Sequence, residues 1–133
     1  MIVADTNILV YLYLPTQFTP YAEKLLEMEP VWVAPYLWRS EFRNVLALYL
    51  RKGLITYEKA LQIQQEAELL MSGNEYDIKS LGVLSLVNQS NCSAYDCEYV
   101  SLAMSLCTKL FTMDKKVISE FPRVARSLQG LEL

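Results

Sequence analysis

Three apolar residues, Ile2-Val3-Ala4, stop at Asp5-Thr6-Asn7, and helical periodicity begins at once from Ile8. The run is too short and too continuous to alternate between a wet and a dry face. It therefore reads as a strand buried on both sides. Strands of that kind sit in parallel sheets sandwiched by helices. A carboxylate at the exit of such a strand costs free energy unless hydrogen-bond donors or a cation meet it. Asp5 is thus a fixed point on which other charged or polar groups are expected to converge.

The rest of the chain repeats the pattern. A short helix over Asn7–Leu14 is stopped by Pro15, and Thr19-Pro20 offers an N-cap followed by Pro for a helix to about Glu29. A second strand, Val31 to Ala34, lies between Pro30 and Pro35. A long helix, about Tyr36 to Lys52, has Gly53 in place to end it, and Thr56 caps the next, about Tyr57 to Met71. A weakly marked strand follows over Glu75–Ile78, then helices over Lys79–Gln89 and from Asn91 or Ser93 to about Cys107. Lys109–Thr112 is the fourth strand, Val117–Glu120 a helical turn, and a last strand falls between Val124 and Leu133. Four to five strands alternating with helices predict βαβ units, with ligands bound beyond the carboxyl ends of the strands. The 133 residues, without repeat or linker, predict a single domain over 1–133.

Composition narrows the chemistry. There is no histidine, which excludes His general bases, His-activated nucleophiles and mixed Cys/His zinc sites. The three cysteines, Cys92, Cys97 and Cys107, lack Cys-x-x-Cys spacing and read as reduced thiols of a cytoplasmic protein, with Cys97 and Cys107 in a helix core. No Gly-Lys-Ser/Thr stretch exists, so a P-loop NTPase is out. The N-terminal apolar run has no basic flank and is broken by Asp5 and Asn7, which predicts neither a secretion signal nor a membrane span. Net charge is −3 and the pI about 5.0. Setting Asp5, Glu41, Asp96 and Asp114 aside as one site leaves 11 acids against 12 bases, a surface that is near neutral. The apolar share, 53%, is that of a compact globular chain, and the excess of Leu, Tyr and Met over what one small core needs points to some apolar surface meeting a partner.

Those four acids stand out by position. Glu41 has Leu37, Trp38, Val45 and Leu48 as its helical neighbours, and Asp96 has Tyr99, Val100 and Ala103, so both are expected on apolar faces. Asp5 and Asp114 follow strands, the latter in a Thr-x-Asp arrangement after Leu110-Phe111. Each has a plainer reading taken alone: a solvated Glu, a capping box from Ser93 to Asp96, or an Asp that caps the helix it precedes. Together they would meet at one sheet edge. Like charges that close require a cation, and oxygen-only ligands select a hard one such as Mg²⁺ or Mn²⁺.

The segments Val3-Ala4-Asp5-Thr6-Asn7, Ser40-Glu41-Phe42, Ser93-Ala94-Tyr95-Asp96 and Phe111-Thr112-Met113-Asp114 resemble, in order and spacing, the signature of the PIN domain family of metal-dependent ribonucleases. In size the chain looks most like the VapC-type toxins of toxin–antitoxin pairs. The resemblance implies a three-layer α/β/α fold around the parallel sheet, a Mg²⁺ or Mn²⁺ site, RNA as substrate, a small antitoxin partner and a homodimer. It assigns Asp5, Asp96 and Asp114 to the metal, directly or through water, and Glu41 to orienting or deprotonating the attacking water. Thr6, Asn7 and Thr112 would steady the carboxylates or a water. Arg39, Arg43, Lys115 and Lys116 are candidates for RNA phosphates. The further Asp or Asn found after the last acid in many members is absent, since Lys115, Lys116 and Val117 stand there. Two rivals remain: a catalytically inactive PIN-like interaction module, and an Asp-based phosphatase or receiver-like domain, which would want Asp where Asn7 stands.

Overall fold

The computed structural model describes residues 1–133. In chain order the elements are β1 (Ile2–Ala4), α1 (Thr6–Tyr13), α2 (Thr19–Met28), β2 (Trp32–Pro35), α3 (Leu37–Arg51) and α4 (Tyr57–Leu70). Then come β3 (Glu75–Tyr76), α5 (Ser80–Gln89), α6 (Ala94–Ser105), β4 (Leu110–Phe111), α7 (Lys115–Glu120) and β5 (Ala125–Arg126). The strands form one parallel sheet in the order β3-β2-β1-β4-β5, flanked by helices in a three-layer α/β/α arrangement.

β1 is central, with Val3 opposite Val33 on one side and Leu110 on the other. Val3 and Ala4 are fully buried, as a strand covered on both faces must be. On one side α1 packs with α2, α3 and α4; α6 lies on β1, β2 and β4 with α5 alongside. The connections run outward from β1 in both directions, so the strand order reverses between β1 and β4. A crevice opens at such a reversal, beyond the carboxyl ends of the strands.

Local chemistry explains most boundaries. Gly53 takes φ +69° and ends α3, its N–H reaching Leu50 O while Leu54 N–H reaches Tyr49 O. Thr56 Oγ1 accepts from Lys59 N–H and opens α4. Four expectations need correction. Thr19 does not cap α2; its hydroxyl donates to Tyr11 O and accepts from Thr16 N–H, tying α2 back to α1. Cys97 is buried in α6, but Cys107 is exposed, just past the helix, at φ +53°. It occupies the left-handed position usually given to Gly, with Cys107 N–H on Met104 O and Thr108 N–H on Ala103 O. The third and fourth strands are each two residues long rather than four. The buried stripe of α3 is Trp38, Phe42 and Leu46, which leaves Leu48 47% exposed and puts Glu41 on the edge of that stripe, not within it.

Candidate active site

At the β1/β4 reversal a cleft of about 410 Å³ opens, lined by Asp5, Glu41, Asp96 and Asp114 together with Thr6, Asn7, Asn44, Val10 and Val45. The four acids singled out from sequence therefore share one cavity, and neither Lys nor Arg lines it.

Two strand exits supply the floor. Asp5 N–H continues the parallel ladder to Phe111 O, and the Asp5 backbone is extended before α1 begins. Its Oδ1 accepts from Thr6 N–H at 2.7 Å and its Oδ2 from the Thr112 hydroxyl at 2.7 Å. Thr112 is wholly buried, and the same Oγ1 accepts from Asp114 N–H at 3.1 Å. One hydroxyl thus ties both strand-end acids together. Asp114 caps α7 through Oδ1, which takes Lys116 N–H and Val117 N–H. Asp5 and Asp114 are caps and cleft carboxylates at once.

Two helices supply the walls. Glu41 comes from α3, and its Oε1 meets the Tyr99 hydroxyl at 2.6 Å and the Thr6 hydroxyl at 2.9 Å. Asp96 sits in the first turn of α6, where Ser93 Oγ accepts its N–H at 3.1 Å; its carboxylate has no hydrogen bond within the chain. An N-terminal helix turn favours negative charge at that position.

Burial pushes Asp5 up to about pKa 6. The Thr112 hydroxyl and Thr6 N–H oppose this, while the charges of Glu41 and Asp96 add to it. Burial also raises the Tyr99 phenol far above its usual range, with the carboxylates of Glu41 and Asp5 contributing, so it stays protonated. A further acid, Glu98, is raised by burial and by Glu41. Asn7 Oδ1 is buried without a partner. Four carboxylates in one cleft, one of them buried with a raised pKa, an orphaned amide oxygen and no basic side chain together fit a hard cation. No three of the acids are gathered into a ready-made cage. A cation that keeps several of its own waters, as Mg²⁺ does, needs only one or two direct carboxylates and reaches the others through water.

The proposed phosphate contacts divide. Arg39 is turned away: its Nε and Nη2 engage Glu75 and its Nη1 Glu68, and it does not line the cleft. The Glu75 side chain is only 5% exposed, also takes Trp38 Nε1, and is held below the usual carboxylate range by the Arg39 hydrogen bonds. Arg39 is therefore a clamp between α3, α4 and β3, contrary to the expectation from sequence. Arg43 is exposed and touches Ser40; Lys115 and Lys116 are exposed at the start of α7, next to Asp114. Asn44, Tyr99 and Glu98 were not anticipated. Asn44 lies three residues after Glu41, on the same helical face, so periodicity could have found it. Tyr99 was visible only as an apolar neighbour of Asp96; its hydroxyl gave no sign of a partner 58 positions away.

The pattern of the PIN domain family matches residues 2–127. Ribonuclease VapC3 of Pyrobaculum aerophilum is 26% identical over 134 aligned positions, covering 91% of this chain and 95% of that protein. Among solved structures, a Pyrobaculum aerophilum protein superposes with a TM-score of 0.76 at 18% identity, over 96% of this chain and 90% of its own. FitAcB from Neisseria gonorrhoeae gives 0.73 at 16% identity, over 98% and 100%. A toxin–antitoxin complex from Klebsiella pneumoniae gives 0.69 at 18%, over 95% and 97%. At these identities the structural matches speak for the fold.

Proposed function

The chain belongs to the PIN domain family, and on that footing we propose that it is a metal-dependent ribonuclease that cleaves RNA phosphodiester bonds with an activated water. The observation that carries this reading is the convergence of Asp5, Glu41, Asp96 and Asp114 on one cleft without a basic residue. The likeness to a protein named as a ribonuclease supports RNA as the substrate.

Bound Mg²⁺ or Mn²⁺ supplies charge neutralisation at a phosphate oxygen and a lowered pKa for water. Asp5, Asp96 and Asp114 hold the ion, directly or through water. Thr112 fixes Asp5 and Asp114 at one spacing, and Thr6 N–H fixes the second oxygen of Asp5. Asn7 offers its unpartnered amide oxygen to a water of the site. Glu41 orients or deprotonates the attacking water. Attack in line with the departing 3′-oxygen leaves a 5′-phosphate and a 3′-hydroxyl. Lys115, Lys116 and Arg43 steady the flanking phosphates. The rival in which Asp5 accepts a phosphoryl group is disfavoured because Asn7 stands where that class has a second Asp, and because it gives Glu41 no role.

The likeness to toxin–antitoxin proteins supports a second part of the proposal: the chain is the toxin of such a pair, held inactive by a small antitoxin. It acts as a homodimer on cytoplasmic RNA; no helix is long and apolar enough to cross a membrane. The uncharged helix α5, with Leu81 and Leu84 exposed, supports a protein-facing surface.

The test is RNA cleavage with Mg²⁺, Mn²⁺ or EDTA, comparing wild type with Asp96→Asn. Cleavage in either metal, its loss in EDTA and its loss in the variant are expected. Equal cleavage in all conditions would sink the metal-nuclease reading.

A further inference from the structure

The contacts of Glu41 point to a residue whose effect on cleavage is indirect. Glutamate has three side-chain torsions to fix, and Glu41 sits half-buried at the edge of the α3 stripe. A pair of hydroxyls on other elements restrains it. Tyr99, in α6, is 2% exposed and reaches Glu41 Oε1 at 2.6 Å; Thr6, at the start of α1, reaches the same oxygen at 2.9 Å. The two hydroxyls are 2.7 Å from each other. Two hydrogens cannot bridge all three of these contacts. The phenol is the stronger acid, so it gives its hydrogen to the carboxylate, and Thr6 can then donate to the phenol oxygen. In either arrangement Oε1 stays engaged. Oε2 has no hydrogen bond within the chain.

We propose that Tyr99 is a positioning residue for Glu41: with Thr6 it occupies Oε1 and leaves Oε2 as the one oxygen the cleft can use. The inference rests on the ribonuclease reading above. Its basis in the fold is that Tyr99 lies one helical turn after Asp96, so the turn of α6 that delivers Asp96 to the cleft also delivers the clamp that fixes Glu41. One hydrogen bond thereby links two walls of the cleft, α3 and α6. The buried ring fills its place in the core with or without the hydroxyl.

Tyr99→Phe keeps that ring and removes the hydroxyl. The expected result is a fall in kcat of about 10- to 100-fold, the range usual for groups that orient a reacting side chain, with KM unchanged. In a Glu41→Asp background, where the shorter acid cannot reach the hydroxyl pair, the same substitution is expected to cost almost nothing more. Melting in EDTA reads the contact without cleavage: Tyr99→Phe should lower Tm by about 2–4 °C more in wild type than in a Glu41→Ala background. A rise in KM with kcat unchanged, or the same fold loss in both kinetic backgrounds, overturns the positioning role. Identical melting shifts in both backgrounds overturn the contact itself. A wild-type chain that cuts no RNA with any divalent ion, while the melting shifts still differ, overturns the ribonuclease reading and this role with it.

Discussion

Replacing Asp5 with asparagine should stabilise the metal-free protein while abolishing its cleavage. The Asp5 shift is opposite in sign to that of most structural carboxylates: its pKa in the fold is about 6, against 3.8 for the free side chain. Stability from this group is therefore fully present below pH ~4 and is lost as the pH rises through about 6. The shift of roughly two pH units corresponds to about 3 kcal/mol at pH 8. The Asp5→Asn side chain would carry no charge to desolvate. It would keep the bond from Thr6 N–H, but its amide would face the Thr112 hydroxyl with a donor where Oδ2 now accepts. A buried hydroxyl left without its acceptor costs about 1–2 kcal/mol. The net gain is then about 1–2 kcal/mol, or a rise in Tm of roughly 4–8 °C for a domain of this size. The assay is thermal unfolding in EDTA at pH 8 and at pH 4. At pH 4 the order should reverse, since the charge is gone from wild type and only the lost bond remains. A variant that melts below wild type at pH 8, or a difference that does not change between the two pH values, refutes the reasoning.

Arg39→Ala should lower stability by about 2 kcal/mol, because it strips the cation from a Glu75 side chain that is 5% exposed, a cost moderated by the 37% exposure of Arg39 itself. Cleavage kinetics should be unchanged, and a selective loss of RNA affinity would return Arg39 to the substrate path. Replacing both Lys115 and Lys116 with alanine should weaken RNA binding for all sequences alike and reduce the dependence of log K on log salt by about 0.7 per lysine. An unchanged salt slope would show that α7 does not touch the RNA.

The elements best legible in the sequence were those whose signals are local. The β1–α1 junction was placed within a residue because an apolar run met a polar triplet. Gly53 and Thr56 marked helix ends because one acts through its own backbone conformation and the other through a bond to an N–H three residues on. The acids stood out because Asp5 and Asp114 follow strand exits, and because Glu41 and Asp96 have apolar helical neighbours. What stayed hidden depended on distant partners. Arg39 looked like a surface cation near Glu41, and only the arrival of β3 shows that Glu75 claims it. Cys107 looked like one more apolar position in a helix, and only the close of α6 puts it outside. The clamp on Glu41 needed three elements that lie far apart in the chain. No reading of spacing could supply it.

The single hydroxyl bridge from Thr112 to Asp5 spans 107 positions of sequence, and on the proposed ribonuclease reading this bears on when cleavage can begin during synthesis. At about 5–20 residues per second, a ribosome needs roughly 5–20 s to make the stretch between them. Until β4 and Asp114 have emerged and paired with β1, Asp5 lacks both its cross-strand donor and its neighbouring acid. On that reading a nascent chain would be inert toward the RNA around it, including the message it is being read from, for most of its translation. The fold would thus delay the proposed activity by splitting the site between its first strand and its fourth.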